Sequence, residues 1–290
     1  MARRVLVTGA TGNVGSAVVR ALQHRGSLIC AAGSDRERLR ARLGNDVETA
    51  RLNFFEPETF APALAGCDGL FLLRPPAISQ VRRTLLPFLD AARSLGVRQV
   101  VFLSVQGADK NRLIPHHAVE QHIQAGPANW TLLRPGFFAQ NFGDAYRQDI
   151  TRDGRVYVPA GDGRVAFVDT RDVAEVAAMA LLDPLAHAGQ AYVLTGPAAV
   201  TFGQAARLLS ETLGRPIRYE PASVLGYVRH LLRQNAPVAQ AAVLTILHVG
   251  LRFGQAASTD PTLERLLGHP GRTLAEYIAD HAGLFAADPT

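Results

Sequence analysis

The sequence predicts an α/β fold, a doubly wound parallel sheet carrying a smaller, mostly helical C-terminal lobe. Three observations predict it. The chain opens on an apolar run that breaks into a glycine-rich turn and then into an amphipathic helical pattern. Short apolar runs and helical patterns then alternate as far as about residue 135, which implies parallel strands joined by right-handed crossovers. Beyond about residue 150 the pattern changes to segments rich in glycine, proline and charge, followed by long helices. The boundaries read as 1–150 for the first domain, with 167–196 returning to its sheet. Residues 151–166 and 197–290 form the second lobe.

The elements follow in order. Residues 4–8, RVLVT, are β-branched and apolar, as in a strand buried on both faces. Val14, Val18 and Leu22 recur at helical spacing after the turn. Residues 27–32 are a second strand, and Asp35 caps a helix over 36–43. A third strand covers 47–52, and Pro57 opens a short helix running to Leu64. The strand at 69–73 leads to an amphipathic helix over 80–95. A strand at 98–104 leads to a helix over 116–124, and a sixth strand covers 130–134. Residues 155–166 read as an extended hairpin or loop. A helix over 171–182, a strand at 191–194, a helix over 202–213 capped by Thr201, and a strand at 217–220 follow. The remainder is mostly helical to residue 266, and 273–281 closes the chain.

Composition bounds the function. A chain of 290 residues with 48% hydrophobic and 19% charged residues is ordinary for a soluble globular protein. The net charge of +5 comes almost wholly from scattered arginines, Lys110 being the sole lysine. With no basic run and no interleaved aromatics, nucleic-acid binding is not indicated. Cys30 and Cys67 are not paired in a C-x-x-C motif and read as free thiols of a cytoplasmic protein. The apolar stretch after Arg3-Arg4 stops at Thr8-Gly9, too short for a signal peptide. The uncharged, largely apolar run 236–251 is shorter than the ~20 residues of a membrane span.

Ligands of an open parallel sheet bind beyond the carboxyl ends of its strands. The first end is Gly9-Ala10-Thr11-Gly12-Asn13-Val14-Gly15. Gly9 allows the turn, Gly12 clears room for a phosphate, and Gly15 lets the helix approach the strand. The helix N-terminus then suits a pyrophosphate, so Gly9, Thr11, Gly12, Asn13, Val14 and Gly15 are expected to bind a dinucleotide. After the second strand Gly33 and Ser34 stand where an acid would mark NAD, and Arg36 and Arg38 follow. Ser34 and Arg36 therefore favour NADP(H) over NAD(H) through a 2′-phosphate. Asn53 is a candidate for the adenine edge. Leu73, Arg74 and Pro75, with Pro135, Gly136 and Phe137, complete the cofactor-facing edge. Ser104 either donates to a substrate carbonyl or is a strand-end serine satisfied by backbone. Gln106, Phe137, Phe138, Phe142 and Tyr146 are expected to line the acceptor pocket, the rings stacking on a planar substrate. That pocket is expected between the sheet edge and the C-terminal lobe, covered by the helical region 227–253. His116, His117 and Glu120 share a helix, but no third ligand stands at metal spacing, and no metal is expected.

The segments VTGATGNVG (7–15), LNFFEPETFAPALAGCD (52–68), LFLLRPP (70–76), VRQVVFLSVQGAD (97–109), HHAVEQHI (116–123), WTLLRPGFFAQNF (130–142) and FVDTRDVAEVAA (167–178) carry a resemblance. The chain resembles the NmrA-like branch of the atypical short-chain dehydrogenases/reductases, which are NAD(P)-binding Rossmann proteins. That branch includes quinone reductases, imine or iminium reductases and NADP-sensing regulators. TLLRPGFF together with the upstream helical Glu120 is its more specific mark. Relative to the Tyr-x-x-x-Lys pair of typical members, the lysine place is His116 and the tyrosine place Arg112. The resemblance implies a reductase that transfers hydride to a small planar, electron-poor acceptor, with Ser104 and His116 as catalytic candidates. His116 is expected to be neutral and to contact the nicotinamide ribose. The alternatives are a non-catalytic NADP(H)-sensing regulator and a cyclase or isomerase on the same scaffold. The expected partner is a small-molecule substrate, the chain acting as a monomer or homodimer.

Overall fold

A computed structural model of the protein describes residues 3–286. The first half runs β1 (Arg4–Thr8), α1 (Asn13–Gln23), β2 (Leu28–Gly33), α2 (Arg36–Leu43), β3 (Glu48–Arg51), α3 (Phe60–Leu64), β4 (Gly69–Leu73), α4 (Leu85–Ser94), β5 (Gln99–Leu103), α5 (Pro115–Gln124) and β6 (Asn129–Pro135). The second half runs α6 (Arg147–Asp153), β7 (Arg155–Val158), β8 (Arg164–Val165), α7 (Thr170–Leu182), β9 (Gln190–Leu194), β10 (Val200–Thr201), α8 (Phe202–Leu213), β11 (Arg218–Pro221), α9 (Val224–Arg233), α10 (Val238–Leu251), α11 (Thr262–Leu267) and α12 (Leu274–Asp280).

The chain packs as two compact units. The first holds the chain through Pro135, Thr170–Leu194 and Arg265–Leu267. Its seven strands are all parallel, in the order β3-β2-β1-β4-β5-β6-β9. The order reverses between β1 and β4, and such a switch point opens a ligand crevice at the strands' carboxyl ends. Successive strand residues point to opposite faces. Leu70, Leu72 and Phe102 therefore share one face with Phe60, Phe88, Leu89, Val119 and Ile123 from α3, α4 and α5. On the other side α7 packs along α1 and over β4, β5 and β6. The predicted strand–helix alternation holds throughout this unit. The helix expected over 80–95 is split: Val81–Arg83 form a 3₁₀ turn and α4 begins at Leu85.

The second unit holds Gly136–Asp169, Thr195–Glu264 and the chain from Gly268. Residues 136–150, read as the end of the first domain, pack here because Phe142, Tyr146 and Ile150 are buried with Phe167, Phe202, Tyr227 and Tyr277. Residues 155–166 do not form a hairpin. β7 pairs in parallel with β11, and β8 pairs antiparallel with β10. The loop between them is tied elsewhere: the Arg252 guanidinium donates to the carbonyls of Pro159 and Ala222, at 2.7 and 3.2 Å. α8 starts as predicted, in a capping box between Thr201 and Gln204.

Candidate functional site

The carboxyl ends of β1 and β4 are joined by Thr8, whose Oγ1 accepts from the Leu73 amide at 2.8 Å and donates to the Phe71 carbonyl at 3.2 Å. From there the chain enters the glycine turn. Gly9 has φ +64°, in the left-handed region that favours glycine, and a Cβ on it would stand 2.9 Å from the Leu73 side chain. A Cβ on Gly15 would lie 2.2 Å from the Gly9 carbonyl oxygen, so the first turn of α1 rests directly on the loop. Gly12 is the N-cap of α1. No side chain caps this helix and no acidic residue stands in its first turn, which leaves the positive end of its dipole for an anion. Gly12 is exposed, with Thr11 and Asn13 half-buried. Val14 buries its side chain, so its part in any phosphate contact is through its backbone.

At the end of β2, Asp35 is committed to its helix: its Oδ1 accepts from the Glu37 and Arg38 amides at 2.9 and 3.0 Å. Ser34, Arg36 and Arg38 are exposed, and among the described residues neither arginine has an ion-pair partner. Asn53 is half-buried and engaged. Its Nδ2 donates to Glu56 at 2.6 Å and its Oδ1 accepts from the Phe55 amide at 3.1 Å. Its side chain thus shapes the turn after β3.

At the end of β4 and the start of α5, Arg74 Nε donates to His116 Nε2 at 3.2 Å. The imidazole proton therefore sits on Nδ1. Burial, and next the Arg74 charge, push the His116 imidazole down to about 4, so it is neutral near pH 7. Neutrality is as expected, although its cause is burial beside a cation rather than the helix terminus alone. Arg74 Nη1 donates to the carbonyls of Pro75, Pro76 and Ile78, at 3.2, 3.3 and 2.5 Å.

Ser104 follows β5 and is 1% exposed. Its hydroxyl donates to Glu120 Oε1 at 2.5 Å. Arg134 grips the same carboxylate with two donors, Nε to Oε1 at 3.0 Å and Nη2 to Oε2 at 2.7 Å. Asp109 lies 3.6 Å from Arg134 Nη1. The single Ser104 proton is thus held inside a buried network, and the expectation of a strand-end hydroxyl donating to substrate is corrected. Its satisfaction comes from a carboxylate, not from backbone. The sequence signalled Glu120 and Arg134 only as marks of a resemblance; their pairing joins α5 to β6 and has no local signal. His116, His117 and Glu120 turn to three different partners, His117 Nδ1 donating to the Ala108 carbonyl at 2.8 Å. Gln106 is half-buried, its backbone N–H donating to the Pro135 carbonyl at 3.0 Å.

In the second unit the four expected rings divide. Phe137 and Phe138, like Gly136, are half-buried. Phe142 is 0% exposed and packs edge-on against Tyr146 and Phe167. Tyr146 is buried too, its hydroxyl donating to His248 Nε2 at 2.7 Å, while His248 Nδ1 donates to the Leu244 carbonyl. Burial raises the Tyr146 phenol well above its ordinary value and lowers the His248 imidazole. Phe142 and Tyr146 are therefore core residues: of the four rings, at least one was expected in the core, and two are there. The segment after Pro135, GFFAQNFGDAY, has no regular period that reveals which rings turn inward. Phe137 edges against His248 at 6.0 Å.

The chain is 34% identical over 287 residues to the NAD(P)H azoreductase of Xenophilus azovorans, covering 98% of this chain and 99% of that one. It is also 34% identical, over 290 residues, to the (4-alkanoyl-5-oxo-2,5-dihydrofuran-3-yl)methyl phosphate reductase of Streptomyces griseus, covering 98% and 100%. The fold matches that of the NADPH-dependent quinone oxidoreductase of Escherichia coli in complex with NADPH. The TM-score is 0.83 and the identity 27%, with 95% of this chain and 99% of that one covered. The NmrA-like family matches residues 1–278, nearly the whole length, and the chain belongs to that family.

Proposed function

We propose that this protein is an NAD(P)H-dependent reductase of a small, planar, electron-poor acceptor, a quinone or an imine/iminium compound. The observation that carries this reading is the crevice edge between β1 and β4. There an uncapped helix N-terminus under a glycine turn stands beside a fixed Arg74–His116 pair, and no Tyr-x-x-x-Lys pair is present. The residues fit a dinucleotide: a side chain at Gly15 would strike the loop carbonyl, and nothing caps α1. The backbone of residues 11–15 holds the pyrophosphate, and the Gly9 turn keeps it there. When bound, the reduced nicotinamide supplies the hydride. His116 Nδ1–H orients the ribose by a hydrogen bond, and Leu73, Pro75 and Pro135 line the approach. Gln106, half-buried in the loop after β5, offers the acceptor a polar contact. An electron-poor acceptor needs little help from a protein acid, which agrees with the absent tyrosine.

NADP(H) is the preferred cofactor in this reading. Asp35 is spent on capping, and Ser34, Arg36 and Arg38 remain open to a 2′-phosphate. Arg36→Ala should weaken NADPH binding by about 1.5–3 kcal/mol, the loss of charge-assisted hydrogen bonds, and leave NADH nearly unchanged. Equal weakening of both cofactors would remove Arg36 as the phosphate ligand. The protein works on small molecules in the cytoplasm, as a monomer or homodimer; its cysteines, Cys30 and Cys67, are buried free thiols. No helix among the described residues is long and apolar enough to cross a membrane. Stopped-flow oxidation of NADPH against a panel of quinones and cyclic imines tests the whole reading. Turnover of at least one class is expected. Tight cofactor binding with no turnover of any acceptor would return the chain to the regulator alternative.

A further inference from the structure

Four partly buried arginines of the first unit have carboxylate partners. Arg3 faces Asp68, Arg4 faces Glu48, Arg93 faces Asp90, and Arg134 grips Glu120. Arg74 departs from that pattern. It is half-buried, and among the described residues it has no carboxylate within ion-pair distance. Its neighbours are neutral: three carbonyl oxygens on Nη1 and an imidazole nitrogen on Nε. Those four acceptors fix the guanidinium plane, so little side-chain freedom is left to lose when a ligand binds. Nη2 donates to none of the described groups and is not fully shielded from solvent, so this edge is left for a ligand. A partly desolvated cation without a counter-ion is costly. Here it lies immediately beyond the carboxyl end of β4, beside the switch point where ligands of such sheets bind.

We infer that Arg74 Nη2 is a catalytic contact for negatively charged oxygen on the acceptor, so that the site favours acceptors that carry such an oxygen or develop one on reduction. This rests on the reductase reading above. The reductant is the reduced nicotinamide, which is oxidised as its hydride, a proton with two electrons, moves to the acceptor. A quinone so reduced becomes a hydroquinone monoanion, and Arg74 holds the new oxyanion in place. Water then supplies the second proton. His116 is the positioning residue: its Nε2 accepts from Arg74 Nε and keeps the free edge turned outward. The arrangement replaces a phenol proton donor with a permanent positive charge, which a hydride acceptor of low basicity requires more than a proton.

The test uses the full chain saturated with NADP⁺ and two probes of similar shape. One is neutral 1,4-naphthoquinone, and the other is 2-hydroxy-1,4-naphthoquinone, an anion at pH 7.5. Calorimetric titration should show the anion binding at least tenfold more tightly. Arg74→Met should bring that ratio to within twofold. Arg74→Lys, which keeps the charge but not the planar fork, should retain part of it. With NADPH and neutral naphthoquinone, Arg74→Met should lower kcat on the order of 10²–10³-fold, as for removal of an oxyanion donor. Equal binding of the two probes to the wild type, with neutral naphthoquinone still reduced, overturns the inference and leaves the reductase reading standing. A loss of NADPH affinity in Arg74→Met equal to its loss of rate, with the anion preference intact, assigns the guanidinium to a cofactor phosphate and also overturns it. Failure of the wild type to bind or reduce either probe, despite tight NADPH binding, removes the inference and counts against quinones as acceptors. If Arg74→Met does not fold, the wild-type ratio and the Arg74→Lys variant decide.

Discussion

His116 separates a positioning role from an acid–base role. With its imidazole pushed down to about 4 it is uncharged across the neutral range, and its Nδ1–H remains a donor. His116→Ala should raise the KM for NADPH and lower kcat only modestly, roughly three- to tenfold, as for one lost hydrogen bond. Neither His116→Ala nor His116→Gln should lose a pH limb between pH 5.5 and 8.5. A hundredfold fall in kcat in both, with such a limb gone, would make His116 the proton donor. The same shift has a stability consequence. The folded value lies below the ordinary 6.5, so between pH 6.5 and about 4 the unfolded chain binds a proton that the folded chain does not. The residue's contribution is complete above pH 6.5 and is lost as pH falls towards 4. The stability of the wild type relative to His116→Gln, followed by urea denaturation from pH 7.5 to 4.5, should therefore fall; a constant difference would refute the assignment. Glu120 is the other decisive residue. Glu120→Gln leaves the half-buried Arg134 with only the more distant carboxylate of Asp109, and breaking such a pair costs up to about 3–5 kcal/mol. A loss under 1 kcal/mol would show that Asp109 compensates for the missing carboxylate. Neither partnership was legible in the sequence: the His116–Arg74 and Glu120–Arg134 contacts join residues far apart in the chain, and only the residue types gave a hint.

At the level of elements, local chemistry was legible wherever it is local. The glycine turn, the Asp35 and Thr201 caps and the apolar strands follow from spacing alone, and each stands where the sequence puts it. The reading failed where a partner lies elsewhere in the chain. β7 and β8 look like the arms of a hairpin, yet β7 buries Val156 and Val158 beside β11 and not beside β8. Phe142 and Tyr146 belong to the core of the second unit for the same reason. The interlock of α1 with the glycine turn yields a prediction. Gly15→Ala sets a methyl 2.2 Å from a backbone oxygen that cannot swing aside, so the helix must move. Overpacking of this kind costs about 1–3 kcal/mol. NADPH affinity should fall with it, because the same helix end holds the pyrophosphate; a variant with wild-type affinity and melting temperature would show that α1 is free to slide. α10 offers a contrast. Its buried side carries Ala241, Thr245, His248 and Leu251, whereas Val243, Ile246 and Leu247 are exposed. Ile246→Ser should therefore change stability by no more than ~0.5 kcal/mol.

The path of the chain decides which piece of the molecule can fold alone. The first unit is not continuous: it leaves its sheet after β6, and α7 and β9 return to it only after Asp169. β9 pairs over its whole length with β6, from Thr131 to Pro135, and α7 covers α1, β4, β5 and β6. A fragment ending at Pro135 keeps the glycine turn, Arg74, His116 and the Ser104–Glu120–Arg134 network, but it lacks both returning elements. The buried positions Val14, Val18 and Leu22 of α1 would lose part of their cover, and β6 would become an open edge. Each large apolar side chain returned to water costs about 1.5–3 kcal/mol, and a few of them match the 5–15 kcal/mol stability of a whole domain. The fragment should therefore be insoluble or melt without a cooperative transition, and NADPH should not protect it. The full chain should behave in the opposite way. A ligand present at a hundred times its Kd adds about 2.7 kcal/mol to the folded state, which for a protein of this size moves Tm upward by a few degrees. Thermal denaturation of both proteins, with and without NADPH, makes the comparison. A fragment ending at Pro135 that melts cooperatively and is shifted by NADPH would show that β9 and α7 are dispensable to the cofactor-binding unit.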